Sequence, residues 1–258
     1  MSKNRILVVG CGAMGGAMVK GWVNTACNDF DIEIVTPTPR TDFHLLQHQT
    51  VSTYEGTPDI ILFAVKPQVL DKIITDYIPV ISPDTVIVSV AAGKTTGFFK
   101  NHFSKNKVIR AMPNLPASVN KGVTLLSGDK STEHYAVVET LFSHLGPCFC
   151  VPEKSLDSMT ALTGSGPAYI YLLTEILGKI IVNQGIDKVE SIKMATVLVA
   201  GSAELMIHSP YTPKELRKAV TSPKGVTEAA LDVLIPDMQK LFEEAIRNAE
   251  KRSKELSK

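Results

Sequence analysis

An excess of charge of either sign is missing from this chain. Its 27 Lys and Arg residues are matched by 26 Asp and Glu, and the formal net charge of +1 leaves no strong field to recruit nucleic acid or an anionic membrane as a main partner. Long apolar runs are missing too. None reaches the length of a membrane span, and ILVVG near the start is shorter than the apolar core of a secretory signal, so a cytoplasmic protein is expected. Cysteine is scarce. Cys11, Cys27, Cys148 and Cys150 follow neither a zinc-ligand nor a thioredoxin-like spacing, and buried thiols in a reducing compartment are expected rather than a metal or redox site. Cys148 and Cys150 would share one face of a strand. His44 and His48 would stand one turn apart on a short helix, but no third ligand is recognisable nearby, so no metal is expected. Internal repeats and low-complexity linkers are not evident either.

What is there is an ordinary globular composition, 44% hydrophobic and 21% charged over 258 residues, long enough for one large or two ordinary domains. The first 150 or so residues alternate between compact apolar runs and helical spacings. RILVVG, DIEIV, PDIILFAV, DTVIVSV, KVIRAM, GVTLLS and CFCV read as strands, the longer ones apolar enough to be buried on both faces. AMGGAMVKGWVN, DFHLLQH, PQVLDKIITDYI, TTGFFKNHF and EHYAVVETLFSHLG read as the intervening helices, with Pro67 suited to a first turn. Such alternation predicts an α/β fold, a doubly wound parallel sheet with helices on both faces. After about Asp157 the pattern changes and no convincing strand follows. The division expected is therefore residues 1–157 and an all-helical 158–258. One helix there, VESIKMATVLVAGSAELMIHS, is apolar nearly all round and must be covered, by its own domain or by a second subunit. PKELRKAV, GVTEAALDVL and PDMQKLFEEAIRNAEKRSKEL read as further helical segments.

The G-x-G-x-x-G stretch Gly10-Cys11-Gly12-Ala13-Met14-Gly15 follows the first strand and opens the first helix, with a second strand close behind. That context makes it a dinucleotide cradle. Gly10 permits the tight turn, Gly12 lets backbone approach a pyrophosphate, and Gly15 lets helix pack on strand. The end of the second strand, IVTPTPR, lacks the acidic residue that holds an unphosphorylated ribose. Thr36 and Arg40 stand in its region, and hydroxyls with a guanidinium suit a 2′-phosphate, so NADP is favoured over NAD. Later loops at strand ends should also face the cofactor. They supply Ala64, Val65, Lys66 and Pro67, then Ala91, Ala92 and Gly93, then Pro113 and Asn114.

Taken together, GCGAMG, FAVKPQ, AMPNLPASVNKG, TGSGPAY and TSPKGVT resemble the pyrroline-5-carboxylate reductases in order and spacing, over almost the whole chain. The resemblance implies an N-terminal Rossmann domain and a C-terminal helical domain that dimerises, within a homodimer or a larger ring such as a decamer. It implies reduction of the C=N bond of 1-pyrroline-5-carboxylate by NAD(P)H to give L-proline. A paralogue acting on another imine or keto acid, or a nucleotide-binding paralogue without turnover, is the alternative. The substrate carboxylate would be anchored by Ser222, Lys224, Gly225, Val226 and Thr227, with Thr221 or Ser222 capping a helix, Pro223 in its first turn and Gly225 leaving backbone N–H groups open. By the same resemblance Thr227 would supply the polar group near the ring nitrogen, and Ser165 would touch the substrate; Glu153 falls near a position that approaches proline. Where the family pattern runs close to N-V-T-S-P-G-G-T-T, this chain has Ala219, Lys224 and Val226 in place of the asparagine, the first glycine and the first of the final two threonines.

Overall fold

The computed structural model describes residues 3–256. Eight strands form one sheet: β1 (Asn4–Val9), β2 (Phe30–Val35), β3 (Gln47–His48), β4 (Ile60–Phe63), β5 (Val86–Ser89), β6 (Val108–Met112), β7 (Thr124–Ser127) and β8 (Cys148–Cys150), in the order β3-β2-β1-β4-β5-β6-β7-β8. All neighbours are parallel except β6 and β7. Between those two the chain makes only a short 3₁₀ segment, Leu115–Val119, and without a full crossover helix it returns antiparallel.

The central strands are largely apolar because both faces are covered. On β1, Ile6 and Val8 join Met18 and Trp22 of α1 (Ala13–Thr25) and Phe142 of α4 (Glu133–Ser143). Their neighbours Leu7 and Val9 turn the other way, to Leu70 of α2 (Pro67–Ile73) and Phe99 of α3 (Thr96–His102). Trp22 is fully buried, sets its ring edge against Phe142 and donates its indole N–H to the carbonyl of Leu141 at 2.8 Å. The order reverses between β1 and β4, which opens a crevice at their carboxyl ends, the place where such sheets bind ligands.

One sequence expectation is corrected here. Residues 42–48 form no helix; Gln47 and His48 pair with Ile34 and Val35 as a short edge strand. His44 is exposed in an irregular stretch, while His48 bonds Glu33 through Nε2 at 2.7 Å, so the two histidines do not share a helix face. The N-terminal compact unit runs to Pro167 and, among the described residues, takes in those from Ala249 on. The reason lies in α5 (Glu153–Thr163), whose Leu156 is buried with Met112, Leu125 and Val151.

The second compact unit, Ala168–Asn248, is helical throughout. It holds most of α6 (Gly166–Asn183), then α7 (Lys188–His208), α8 (Pro213–Ala219) and the larger part of α9 (Val226–Leu256). The segments GVTEAALDVL and PDMQKLFEEAIRNAEKRSKEL are one helix, which continues through Pro236. Asp187 caps α7 and a reciprocal Thr212–Glu215 pair caps α8. On α6 and α7 many apolar side chains stay open to solvent in the single chain, Val197 at 62% and Ile207 at 64% among them. No helix among the described residues is long and apolar enough to cross a membrane.

Candidate active site

The glycine loop has the geometry a phosphate cradle requires. Gly10 sits at φ +96°, and a Cβ there would lie 2.5 Å from Val65 Cγ1. At Gly15 a Cβ would lie 2.3 Å from the carbonyl oxygen of Gly10, so only glycine lets α1 begin this close to the end of β1. Gly12 differs: a Cβ on it would meet nothing within 4 Å. It is the N-cap of α1, its neighbours supply no side-chain cap, and the first turn holds no acidic residue. The first N–H groups of the helix therefore face open space with the positive end of the helix dipole behind them. A pyrophosphate fits that space.

A cleft of about 470 Å³ opens from this loop. Its lining brings together Gly10, Cys11, Gly12, Ala13 and Met14, then Thr36 at the end of β2, Ala64, Val65, Lys66 and Pro67 after β4, and Ala91 and Ala92 after β5. Sequence reading did not pick out Pro37 and Val69, which line it together with Val90 of the loop after β5. Gly15 lies behind the loop as packing. Arg40, Gly93, Pro113 and Asn114 are not part of the lining. Burial holds the Cys11 thiol above its ordinary pKa, against the opposing pull of Arg40, so it stays protonated beside the cradle. Lys66 is the N-cap of α2, and Pro67 stands in the first turn as expected.

Beyond the cleft several polar groups are committed within the fold. Thr36 is buried and its hydroxyl donates to the carbonyl of Thr38 at 3.3 Å. Arg40 forks onto Asp42, with Nε and one terminal nitrogen at 2.9 and 2.6 Å from its two oxygens, and lies 5.0 Å over the Phe43 ring. Those bonds hold the Asp42 carboxyl below the usual carboxylate range. Asn114 is buried; its amide donates to the carbonyl of Thr163 at 3.0 Å and its oxygen accepts from the N–H of Val123 at 2.9 Å. Its side chain thus fastens the MPNLP loop to the end of α5.

Arg110 was missed in sequence, although a cation inside KVIRAM is the anomaly that points to it. Its side chain is 1% exposed, 2.7 Å from Asp157 and 3.6 Å from Glu153. Glu153 also accepts from both the backbone N–H and the hydroxyl of Thr96 at 2.7 Å. The carboxylate placed near substrate by resemblance is therefore engaged in joining α5, β6 and the start of α3. Ser165 is exposed where α5 ends, its N–H donating to the carbonyl of Thr160. Burial pushes the Cys148 thiol up to about 12, as suits an inert core thiol. Among the described residues no group of three His, Cys, Asp or Glu side chains is placed to hold a metal ion.

In the helical unit, α9 starts at Val226, later than expected. Pro223 to Gly225 make a separate turn, closed by the N–H of Gly225 donating to the carbonyl of Ser222 at 3.0 Å. The Thr221 hydroxyl donates to the carbonyl of Arg217 at 2.7 Å. Thus Thr221 does not cap α9, Pro223 is not in its first turn, and the N–H of Gly225 is not open. The donors left without intrahelical partners are those of Val226, Thr227 and Glu228. Lys224 lies at φ +57°, and its N–H donates to a Glu228 carboxylate oxygen at 2.6 Å.

A family model described as pyrroline-5-carboxylate reductase dimerisation matches residues 153–256, and one described as NADP oxidoreductase, coenzyme F420-dependent, matches residues 5–93. The pyrroline-5-carboxylate reductase of a Synechocystis species is 36% identical over 78% of this chain and 76% of its own. Pyrroline-5-carboxylate reductase 2 of Bacillus subtilis is 32% identical over 98% of this chain and 95% of its own. The chain belongs to the pyrroline-5-carboxylate reductase family. The crystal structure of Plasmodium falciparum pyrroline carboxylate reductase with NADP bound matches it with a TM-score of 0.86 at 25% identity, covering 100% of both chains.

Lys224 stands at a left-handed backbone position that costs an L-residue roughly 1 kcal/mol. The bond from its N–H to Glu228 holds the residue there. Val226 is 91% exposed.

Proposed function

We propose that this chain reduces 1-pyrroline-5-carboxylate to L-proline, with NADPH as the hydride donor. The observation that carries the reading is the open space at Gly12, between two glycines that cannot bear a side chain, in a chain of this family. Gly12, Ala13 and Met14 would hold the pyrophosphate through backbone N–H groups. Thr36, Thr38 and Arg40 would meet the 2′-phosphate end, and Ala64, Ala91 and Ala92, with small side chains, would let a ring lie close. A nicotinamide held there would supply the hydride for the ring carbon of the C=N bond. Everything else asked of the protein is position and charge.

Ser222 to Thr227 is the segment to which this reading assigns the substrate carboxylate, on the N–H groups of Val226 and Thr227 at the positive end of α9. The Lys224 side chain adds a cation nearby. Thr227 then presents its hydroxyl to the ring nitrogen, donating a hydrogen bond to the amine as it forms. Ser165 would contribute a second hydroxyl. The iminium substrate is already electrophilic, so no stronger acid is required.

The exposed apolar faces of α6, α7 and α9 fit a homodimer built through the helical unit; larger rings such as a decamer would be seen as multiples of the dimer mass by light scattering. A cytoplasmic location accompanies this reading. The deciding assay is loss of NADPH absorbance on addition of synthetic pyrroline-5-carboxylate, with proline measured as product. Folded, cofactor-saturated protein that forms no proline would end the proposal.

A further inference from the structure

We propose that Gln47 is a positioning residue for recognition of the cofactor's 2′-phosphate, acting through the backbone of Arg40. The inference rests on the reading above that NADPH is the cofactor. Gln47 belongs to β3, and its pairing with Ile34 of β2 fixes it opposite the strand whose end meets the cleft. From there its side-chain amide clamps Arg40 at two points. Its oxygen accepts the N–H of Arg40 at 2.8 Å and its nitrogen donates to the carbonyl of Arg40 at 2.6 Å. The loop around Arg40 lacks regular structure and contains Pro37 and Pro39, so without the clamp little would fix the backbone from which the arginine projects.

The side chain is ordered just as closely. Phe43 is buried under the guanidinium, and Asp42 takes one edge of it, Nε and a terminal nitrogen. The remaining terminal nitrogen lies 3.5 Å from the carbonyl of Cys11, and Cys11 lines the cleft. An exposed ion pair contributes little stability by itself, and the Arg40 side chain is 39% exposed, so stability is a poor reason for this much ordering. A guanidinium held along one edge by Asp42, with its remaining terminal nitrogen engaged only by a long bond to the Cys11 carbonyl beside the phosphate cradle, is a preorganised anion receptor. Gln47 reduces the ordering cost that binding would otherwise meet, without touching the cofactor.

The test uses the full chain and four ligands: NADPH, NADH, adenosine 2′,5′-bisphosphate and adenosine 5′-monophosphate, titrated calorimetrically. Gln47→Leu removes both amide bonds at similar size; Gln47→Met does the same and stands in should the leucine variant misfold. Expected is about three- to tenfold weaker binding of the two 2′-phosphorylated ligands, the range set by ordering one side chain, with the other two unchanged. Arg40→Ala should weaken the same pair by about ten- to a hundredfold. If Arg40→Ala is selective and both Gln47 variants bind all four ligands normally, the proposal is overturned while the cofactor reading stands. If the Gln47 variants weaken all four ligands equally, Gln47 is only structural and the proposal is likewise overturned. If Arg40→Ala changes nothing, the 2′-phosphate reading and the proposal fall together.

Discussion

Replacing Gly12 and Gly15 separately by alanine should divide binding from stability within one loop. At Gly15 the new methyl would lie 2.3 Å from the carbonyl oxygen of Gly10 and 3.3 Å from Ala64 Cβ. Backbone blocks it, so α1 must move off the sheet. Overpacking of this kind costs about 2–3 kcal/mol, and at about 2–4 °C per kcal/mol for a chain of this size the melting temperature should fall by roughly 5–10 °C. At Gly12 the methyl meets nothing, and φ −72° is open to any residue. Loss of a glycine N-cap and the gain from a stiffer unfolded chain nearly offset each other, leaving stability within about 0.5 kcal/mol of the parent. But the methyl fills the space left for the pyrophosphate. NADPH at about 100 times its Kd should stabilise the parent by roughly 2.7 kcal/mol and Gly12→Ala hardly at all. Thermal unfolding with and without NADPH reads both effects. A Gly12→Ala protein with the parent's melting temperature and the parent's NADPH shift would refute the placement of the phosphate. A Gly15→Ala protein that melts like the parent would refute the packing argument.

Three further outcomes are expected. Thr227→Ala should lower kcat by about tenfold or more, with NADPH affinity in calorimetry unchanged, and Thr227→Ser should restore most of the rate; an unchanged kcat removes Thr227 from the chemistry. Lys224→Gly should relieve the left-handed strain at φ +57° and stabilise the protein by about 1 kcal/mol, a rise of roughly 2–4 °C in Tm; a fall would show that the lysine side chain is needed for stability. Asp157→Ala leaves the buried Arg110 guanidinium with only Glu153 at 3.6 Å, which should cost about 3 kcal/mol, the low end for a broken buried pair, because Asp157 is itself 28% exposed. Denaturant unfolding measures it, and a loss below about 1 kcal/mol would show that Asp157 hardly neutralises the arginine.

The sequence by itself determined the parts whose physics is local. Apolar runs too long and too uniform for one wet face required a parallel sheet covered on both sides, and Ile6 and Leu7 duly enter opposite cores. The glycine spacing after RILVV was legible because only backbone shape and a helix start are involved: Gly10 has the positive φ of a tight turn, Gly15 packs helix on strand, and Gly12 faces open space. The change of pattern after Asp157 marked the helical region, although the compact boundary lies further on at Pro167, since Leu156 and Asp157 answer to partners on other strands.

Only the tertiary structure decided what depends on distant partners. DFHLLQH has helical spacing, yet pairing of Gln47 and His48 with β2 draws it into an edge strand. Arg110 is a lone cation in an apolar run until Asp157 and Glu153 arrive from α5. Asn114 looks free in a stiff loop until Thr163 and Val123 claim its amide. Pro223 looks like the first turn of a helix until the turn at Lys224 moves that start to Val226. In each case a polar or extended segment has several local conformations of similar energy, and hydrogen bonds from residues remote in sequence select one.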